Sequence, residues 1–173
     1  MSRILTLDLS TNTGFCVDDV EAVEAPREFG MWPLPPYKTE RGRMLARLRN
    51  GIMDLHDALP LDRIYIEQRA PAFKFGGNTT SDTTDQQTYL EAAVFLAAYD
   101  LSLPPPEPIS PRLARSRVFG SDMAQITQKE KTDGALVRRL QAMGVKVFDH
   151  NTADAITIWM WLRLKQQGKK RNG

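Results

Sequence analysis

Three acidic residues mark the positions in this sequence where side chains could do chemistry. Asp8 ends the apolar run Arg3–Asp8, and Glu67 ends a second run of the same kind at residues 63–67. Asp154 lies at the start of an apolar C-terminal stretch. Carboxylate oxygens suit Mg²⁺, which keeps several of its waters, so three or four protein groups suffice to bind it. The sequence therefore predicts a divalent-metal site built from these three acids.

Such a site supports phosphodiester hydrolysis. Two Mg²⁺ ions about 3.5–4 Å apart can activate a water and stabilise the leaving oxygen. In this scheme Asp8 bridges both ions, Glu67 holds one ion and Asp154 holds the other. Each acid also has a simpler interpretation: a turn residue for Asp8, a surface or ion-paired acid for Glu67, and a helix-dipole interaction for Asp154. Their joint occurrence on separate elements favours the metal site.

Alternation and helical spacing predict the elements that carry these acids. The pattern predicts strands at 3–8, 13–17, 28–32, 62–67, 107–110 and 145–149. It predicts helices at 39–59, 84–100, 111–118, 129–143 and 152–166. Ile4, Thr6 and Asp8 share one face of the first strand. The first three strands follow one another without a helix, which favours an antiparallel start to an α/β chain. A mobile loop rich in Gly and Thr is expected over residues 70–83, directly after Glu67.

Length and composition are those of a single soluble domain. The chain has 173 residues, 42% hydrophobic and 25% charged, which is enough for a sizeable core. We expect residues 1–168 to form the domain and residues 169–173 to form a basic tail. No stretch reaches the ~20 apolar residues of a membrane span and no signal peptide is visible, so a cytoplasmic location is expected. The single cysteine, Cys16, excludes an internal disulfide, and we expect it in the core.

The charge is unevenly distributed along the chain. Residues 1–100 hold 10 basic and 15 acidic side chains, whereas residues 101–173 hold 13 basic and 6 acidic ones. A basic region of this kind favours a phosphate-rich partner, because neutralising backbone phosphates releases counterions. The alternative is ordinary solvated surface charge.

The segments around the three acids resemble a known family. They are Ile4–Phe15, Ile64–Gln68 and Ala153–Ala155. These segments resemble the acidic motifs of RuvC-type Holliday junction resolvases, in particular the small phage-borne forms, within the RNase H-like superfamily. The resemblance in length and element order covers nearly the whole chain. It implies a five-stranded mixed sheet, with its first three strands antiparallel, flanked by helices.

The resemblance also implies an activity. It implies a homodimer that cleaves branched DNA with Mg²⁺ or Mn²⁺, two ions in each site, in the cytoplasm of a bacterium or a phage-infected cell. An isologous dimer suits a substrate with two-fold symmetry. Asp8, Glu67 and Asp154 are then the metal ligands.

The fourth ligand departs from the family pattern. The family places an Asp or His three residues before its last acid, and this chain has Asn151 there. Asn151 could coordinate through its amide oxygen, as a neutral and weaker ligand, or could cap the helix. His150, one turn before Asp154, could bind a metal, assist the attacking water or face solvent. We expect Asn151 or His150 near the metals, with Asp149 in reserve, and a weakened second ion or an altered metal preference.

Candidate DNA contacts come from a loop and from the basic region. They are Phe73, Lys74, Phe75, Arg112, Arg115, Lys129 and Lys131. The two phenylalanines could stack on unpaired bases or anchor their loop. In similar enzymes a lysine in the region of Lys129 and Lys131 acts near the scissile phosphate; surface solvation is the alternative for either residue. The predicted second helix carries a possible dimer face of small residues, which could instead pack inward: Ala92, Ala93, Ala97 and Ala98.

Three classes of function compete. The leading hypothesis is a metal-dependent, structure-selective endonuclease that resolves four-way DNA junctions. The same fold could act on flaps, forks or RNA, or could bind nucleic acid without catalysis, although three retained acids argue against the latter. An actin-like or sugar-kinase ATPase is the third class, because Leu7–Gly14 is similar to a phosphate loop. Those proteins need two such domains, and 173 residues do not supply them.

Overall fold

A computed structural model of the chain describes residues 2–21, 25–68, 81–123 and 134–171. The strands β1 to β5 are Arg3–Asp8, Asn12–Asp19, Glu28–Pro33, Arg63–Glu67 and Glu107–Ile109. The helices α1 to α5 are Tyr37–Ala58, Ser81–Asp100, Pro111–Phe119, Ala135–Ala142 and His150–Arg171. A 3-10 turn, Ser121–Met123, follows α3. Within these ranges, every helix is too short or too polar to cross a membrane.

The strands form one mixed sheet in the order β3-β2-β1-β4-β5. β1 pairs antiparallel with β2, and β2 pairs antiparallel with β3. β4 is parallel to β1, and β5 is parallel to β4. The prediction of a five-stranded mixed sheet with three antiparallel strands at its start is therefore confirmed. β1 lies at the centre, where neighbours hold it on both sides.

The alternation of β1 divides the core into two layers. Leu5 and Leu7 pack with α1 and α2 on one side of the sheet. Ile4 packs on the other side with the helices α3, α4 and α5. Cys16 is fully buried in this second layer, as predicted. Burial raises the pKa of its thiol well above the ordinary value, so the thiol stays neutral.

The predicted sixth strand at 145–149 is wrong. Val145 and Val147 are buried, as the alternation implied, but they lie in the helical layer of the core. Their backbone groups bond locally: Val145 N donates to the Leu140 carbonyl, and the Val147 carbonyl accepts from Gln141 Nε2 at 2.8 Å. Alternating valines indicate alternating burial, and a buried loop can show this pattern as well as a strand. This explains the error.

Helix ends follow local signals with small shifts from the predicted positions. α3 begins after Ser110, whose Oγ accepts from Leu113 N, and ends at Gly120 with a φ of 101°. The predicted start of α4 at residue 129 lies outside the described part of the chain, which omits residues 124–133. α5 runs from 150 to 171, longer than predicted. The division into a domain and a basic tail at residue 169 stays a prediction.

Candidate metal centre

Two parallel strands deliver the first two acids to one edge of the sheet. β1 and β4 are hydrogen-bonded neighbours in which Leu7 lies opposite Ile66. The next residue in each strand is the acid, so Asp8 and Glu67 lie side by side. Both are half-buried. Because parallel strands end at the same edge, the sheet topology alone accounts for this pairing.

The start of α5 reaches the same edge because Gly14 has no side chain. Gly14 lies opposite Asp8 on β2. A Cβ atom there would be 2.2 Å from both the carbonyl carbon and the carbonyl oxygen of Asn151. Only glycine allows so close an approach of helix backbone to strand. Asp154, one turn further along α5, is thereby brought over the ends of β1 and β4.

The three carboxylates converge. Asp8, Glu67 and Asp154 each offer an oxygen, and these oxygens lie within 4.8 Å of one another. Asp154 is only 1% exposed. The predicted meeting of three acids from distant parts of the sequence is therefore confirmed. An all-oxygen donor set at this spacing suits a hard divalent cation such as Mg²⁺ or Mn²⁺.

Side-chain hydrogen bonds anchor α5 to the antiparallel strands. The Thr6 hydroxyl donates to the Ala155 carbonyl at 2.8 Å. The Thr152 hydroxyl donates to the Gly30 carbonyl at 2.9 Å, and Trp159 Nε1 donates to the Asp18 carbonyl at 3.3 Å. Ala155 follows Asp154 in the chain, and Thr6 lies two residues before Asp8 on β1. The first bond therefore holds Asp154 against β1.

Arg115 is the guanidinium partner of Asp154. Its Nε and Nη2 both donate to Asp154 Oδ1, at 2.9 and 2.7 Å. Arg115 is 5% exposed and lies between α3 and α5. The prediction that Arg115 contacts DNA does not fit this position, because a buried side chain presents no surface to a phosphate. Arg112, on the same helix, is exposed and stays a candidate.

His150 also lies at the acid cluster. Its Nε2 is 2.9 Å from Asp154 Oδ2, and its ring is largely shielded from solvent. The i to i+4 spacing on α5 puts both residues on one face of the helix, as the sequence indicated, and this brings them into contact. The alternative of a solvent-facing histidine is therefore wrong. Whether His150 binds a cation or acts on a water stays a prediction.

Asn151 and Asp149 take structural positions at the start of α5. Asn151 Nδ2 donates to the Asn12 carbonyl at 2.6 Å and to Ser10 Oγ at 3.2 Å, which ties the helix to the β1–β2 turn. Asp149 Oδ1 accepts from Thr152 N at 2.8 Å, so Asp149 is the helix cap. The cap considered for Asn151 thus belongs to Asp149. The reserve role of Asp149 as a ligand is not supported, because it lies outside the acid cluster found among the described residues.

Five of the predicted DNA contacts lie outside the described residues. They are Phe73, Lys74, Phe75, Lys129 and Lys131. Their roles stay predictions.

Two residues that shape the site were not assigned these roles from the sequence. Gly14 carries a usable signal, because a glycine inside a strand marks close backbone approach. The sequence contains no such signal for Arg115. Its partner Asp154 is 39 residues away, and its neighbours on α3 do not indicate that an arginine would be buried.

Comparison with known proteins places the fold. No family model and no curated protein matches this sequence. The structure is similar to Thermus thermophilus RuvC in complex with a Holliday junction substrate, with a TM-score of 0.70, 12% identity and 97% of each chain covered. A second Thermus thermophilus RuvC structure gives 0.69 and 16% identity over 96% of each chain. The yeast mitochondrial Holliday junction resolvase Ydc2 gives 0.60 and 18% identity over 99% of this chain and 82% of that one.

The fold is therefore the RuvC form of the RNase H-like fold. The likeness extends over almost the full length of the chain at low sequence identity. The resemblance seen in three short acidic segments is thus matched by the whole architecture.

We expect Gly14→Ala to lower the free energy of unfolding by about 1–3 kcal/mol, because the added Cβ forces α5 away from β2. Urea unfolding of both proteins measures this difference. Gly42→Ala is the matched control, since Gly42 is exposed on α1 and a Cβ there meets nothing within 4 Å. Equal stability of the Gly14 variant and the control would contradict the close approach.

Proposed function

We propose that this protein is a divalent-metal-dependent endonuclease that resolves four-way DNA junctions. The observation that carries the proposal is the convergence of Asp8, Glu67 and Asp154 within 4.8 Å on a RuvC fold. A structure of similar fold was determined with a Holliday junction substrate. Acids so placed have a direct use in phosphodiester hydrolysis and no evident use in a passive binding module.

The acid cluster fits Mg²⁺ or Mn²⁺. Asp8, Glu67 and Asp154 would hold the cations, two of them in the scheme favoured by the sequence, with Asn151 as the fourth and neutral ligand. The bound cations supply an activated water and stabilise the leaving oxygen. His150, whose Nε2 lies 2.9 Å from Asp154 Oδ2, is the histidine that would assist this water.

DNA is the substrate that the charge distribution favours. The basic residues are concentrated after residue 100, and Arg112 presents one of them on an exposed face of α3. Contacts of this kind recognise shape and backbone charge more than base sequence. The remaining candidates are Phe73, Lys74, Phe75, Lys129 and Lys131. We expect such a protein to act in the cytoplasm of a bacterium or a phage-infected cell.

A homodimer fits a two-fold symmetric junction, and α2 offers a face for it. Ala93, Ala97 and Ala98 are buried in the chain's own core, so the inward packing left open by the sequence is correct for these three. The opposite face is an apolar stripe at i, i+3, i+4 and i+7 spacing. It consists of Ala92, Phe95, Leu96 and Tyr99. Leu96 is 57% and Tyr99 is 82% exposed in the single chain, and pairing of two copies would bury them.

We expect Asp8→Asn and Glu67→Gln each to slow junction cleavage more than about 100-fold, since even residues behind the ligands of metal sites are worth 10–100-fold. Junction affinity should stay equal or rise, because one negative charge near the phosphates is removed. A labelled four-way junction, a flap, a linear duplex and an RNA hairpin, each with Mg²⁺ or EDTA, form the assay.

Asp57→Asn is the matched control for that assay, because Asp57 is an exposed carboxylate on α1. Wild-type nicking by the Asp8 or Glu67 variant would refute the assignment. Faster cleavage of the flap or the RNA than of the junction would keep the nuclease and change its substrate.

Asn151→Ala should reduce cleavage less than Asp154→Asn does. Asn151 is a neutral side chain whose amide ties the β1–β2 turn to α5, whereas Asp154 carries charge in the cluster. Cleavage rates across a Mg²⁺ titration compare the two variants. Equal and complete losses would instead make Asn151 an obligate ligand.

Leu96→Glu should convert the dimer to a monomer at micromolar concentration, because it places two charges in an apolar interface. Size-exclusion chromatography with light scattering measures the mass. Met143→Glu is the control, since Met143 is an equally exposed apolar residue on a different face. A dimeric Leu96 variant, or a monomeric wild-type protein, would contradict this interface.

A further inference from the structure

Burial of Arg115 and Asp154 costs hydration free energy, and core packing alone does not explain why both charges are buried. Both side chains are almost fully buried, and both lose their hydration in the folded protein. A buried ion pair is often no more stabilising than apolar residues of the same size. Its position at the acid cluster suggests that its use is local to that cluster.

We propose that Arg115 is a positioning residue that holds Asp154 in place for cation binding and balances its charge when no cation is bound. This inference rests on the proposed function, because it concerns the same acid cluster. Arg115 itself touches neither the water nor the scissile phosphate in this proposal, and acts only through Asp154.

The geometry of the pair explains the positioning. Nε and Nη2 are the two donors on one edge of the planar guanidinium, and both reach the same oxygen, Oδ1. Two donors hold Oδ1 in one position, and this restricts rotation of the carboxylate about its Cβ–Cγ bond. Oδ2, which lies 2.9 Å from His150 Nε2, takes no part in this pair. Asp154 would therefore still have an oxygen to offer a cation while Arg115 holds the other oxygen in place.

The charges explain the balancing role. Three carboxylates within 4.8 Å repel one another, and the buried one, Asp154, suffers most from the low dielectric of its surroundings. A guanidinium stays charged at any working pH, so Arg115 offsets part of this repulsion at all times. A bound divalent cation offsets the same repulsion. The stabilising effect of Arg115 should therefore be larger without a cation than with one.

Thermal unfolding of wild type and Arg115→Met, in EDTA and in saturating Mg²⁺, tests this relation. We expect the variant to melt several degrees lower in EDTA, and the difference from wild type to shrink by at least half in Mg²⁺. The Mg²⁺-induced rise in Tm is then larger for the variant than for wild type. A residue that only packs α3 on α5 would lower Tm equally in both conditions, and that result would overturn the proposal.

Cleavage provides the second readout. At saturating Mg²⁺ we expect Arg115→Met to cut a junction at least ten-fold more slowly with unchanged junction affinity, because Asp154 is no longer held in one orientation. Arg115→Lys keeps the charge but loses the two-donor fork, so it should retain the wild-type Tm in EDTA better than the methionine variant and still cut slowly. Wild-type cleavage by both variants would exclude positioning.

The controls separate this inference from the proposed function. Arg117→Met removes an exposed arginine from the same helix and should give equal Tm differences in both conditions. Absence of any Mg²⁺- or Mn²⁺-induced Tm rise in the wild-type protein would refute the metal site itself. A wild-type rise that Arg115→Met leaves unchanged would refute only the role of Arg115.

A double variant keeps the test decisive if Arg115→Met does not fold. Arg115→Met with Asp154→Asn removes both charges of the pair, so no buried charge is left unmatched. We expect this double variant to melt higher than either single variant, or to fold where the single variant does not. Additive losses of Tm, or a double variant less stable than both singles, would show that the two residues do not act on each other.

Discussion

Mutual repulsion of three carboxylates is the constraint on which the rest of this structure depends. Two unit charges 4 Å apart repel by about 4 kcal/mol at an effective dielectric constant near 20. One oxygen each from Asp8, Glu67 and Asp154 lies within 4.8 Å of the other two. The fold must therefore supply enough rigidity to hold them. It does so by placing each acid on a different regular element, and contacts outside the acid cluster hold each of these elements in position.

The sheet and α5 share this task unequally. Asp8 and Glu67 need only the parallel pairing of β1 with β4, because adjacent parallel strands carry their last residues to one edge. Strand pairing does not position Asp154, because it lies on a helix. Its place depends on the missing side chain of Gly14 and on the bond from Thr6 to the Ala155 carbonyl, so α5 is the element whose displacement would open the cluster.

The predictable part of the structure is the part encoded locally. Apolar alternation that ends on an acid gave β1, β4 and the first two members of the cluster, and a resemblance in three short segments led to the whole fold. The same alternation at Val145 and Val147 was misleading, because period two describes burial and does not report hydrogen-bond partners. Arg115 shows the other limit. A basic residue on a short helix is expected in solvent, and only the tertiary approach of Asp154 reverses that expectation.

The charge balance of the cluster bears on how cation and DNA would bind. If all three carboxylates are ionised, they and the Arg115 guanidinium leave two net negative charges, and the neutral side chain of Asn151 adds none. Two divalent cations would exceed that charge by two. On the proposed function, the DNA phosphates supply the remaining negative charge, so the second cation and the substrate favour each other's binding. The same balance gives Arg115 a use at the acid cluster, because its guanidinium offsets part of the carboxylate charge and cannot dissociate.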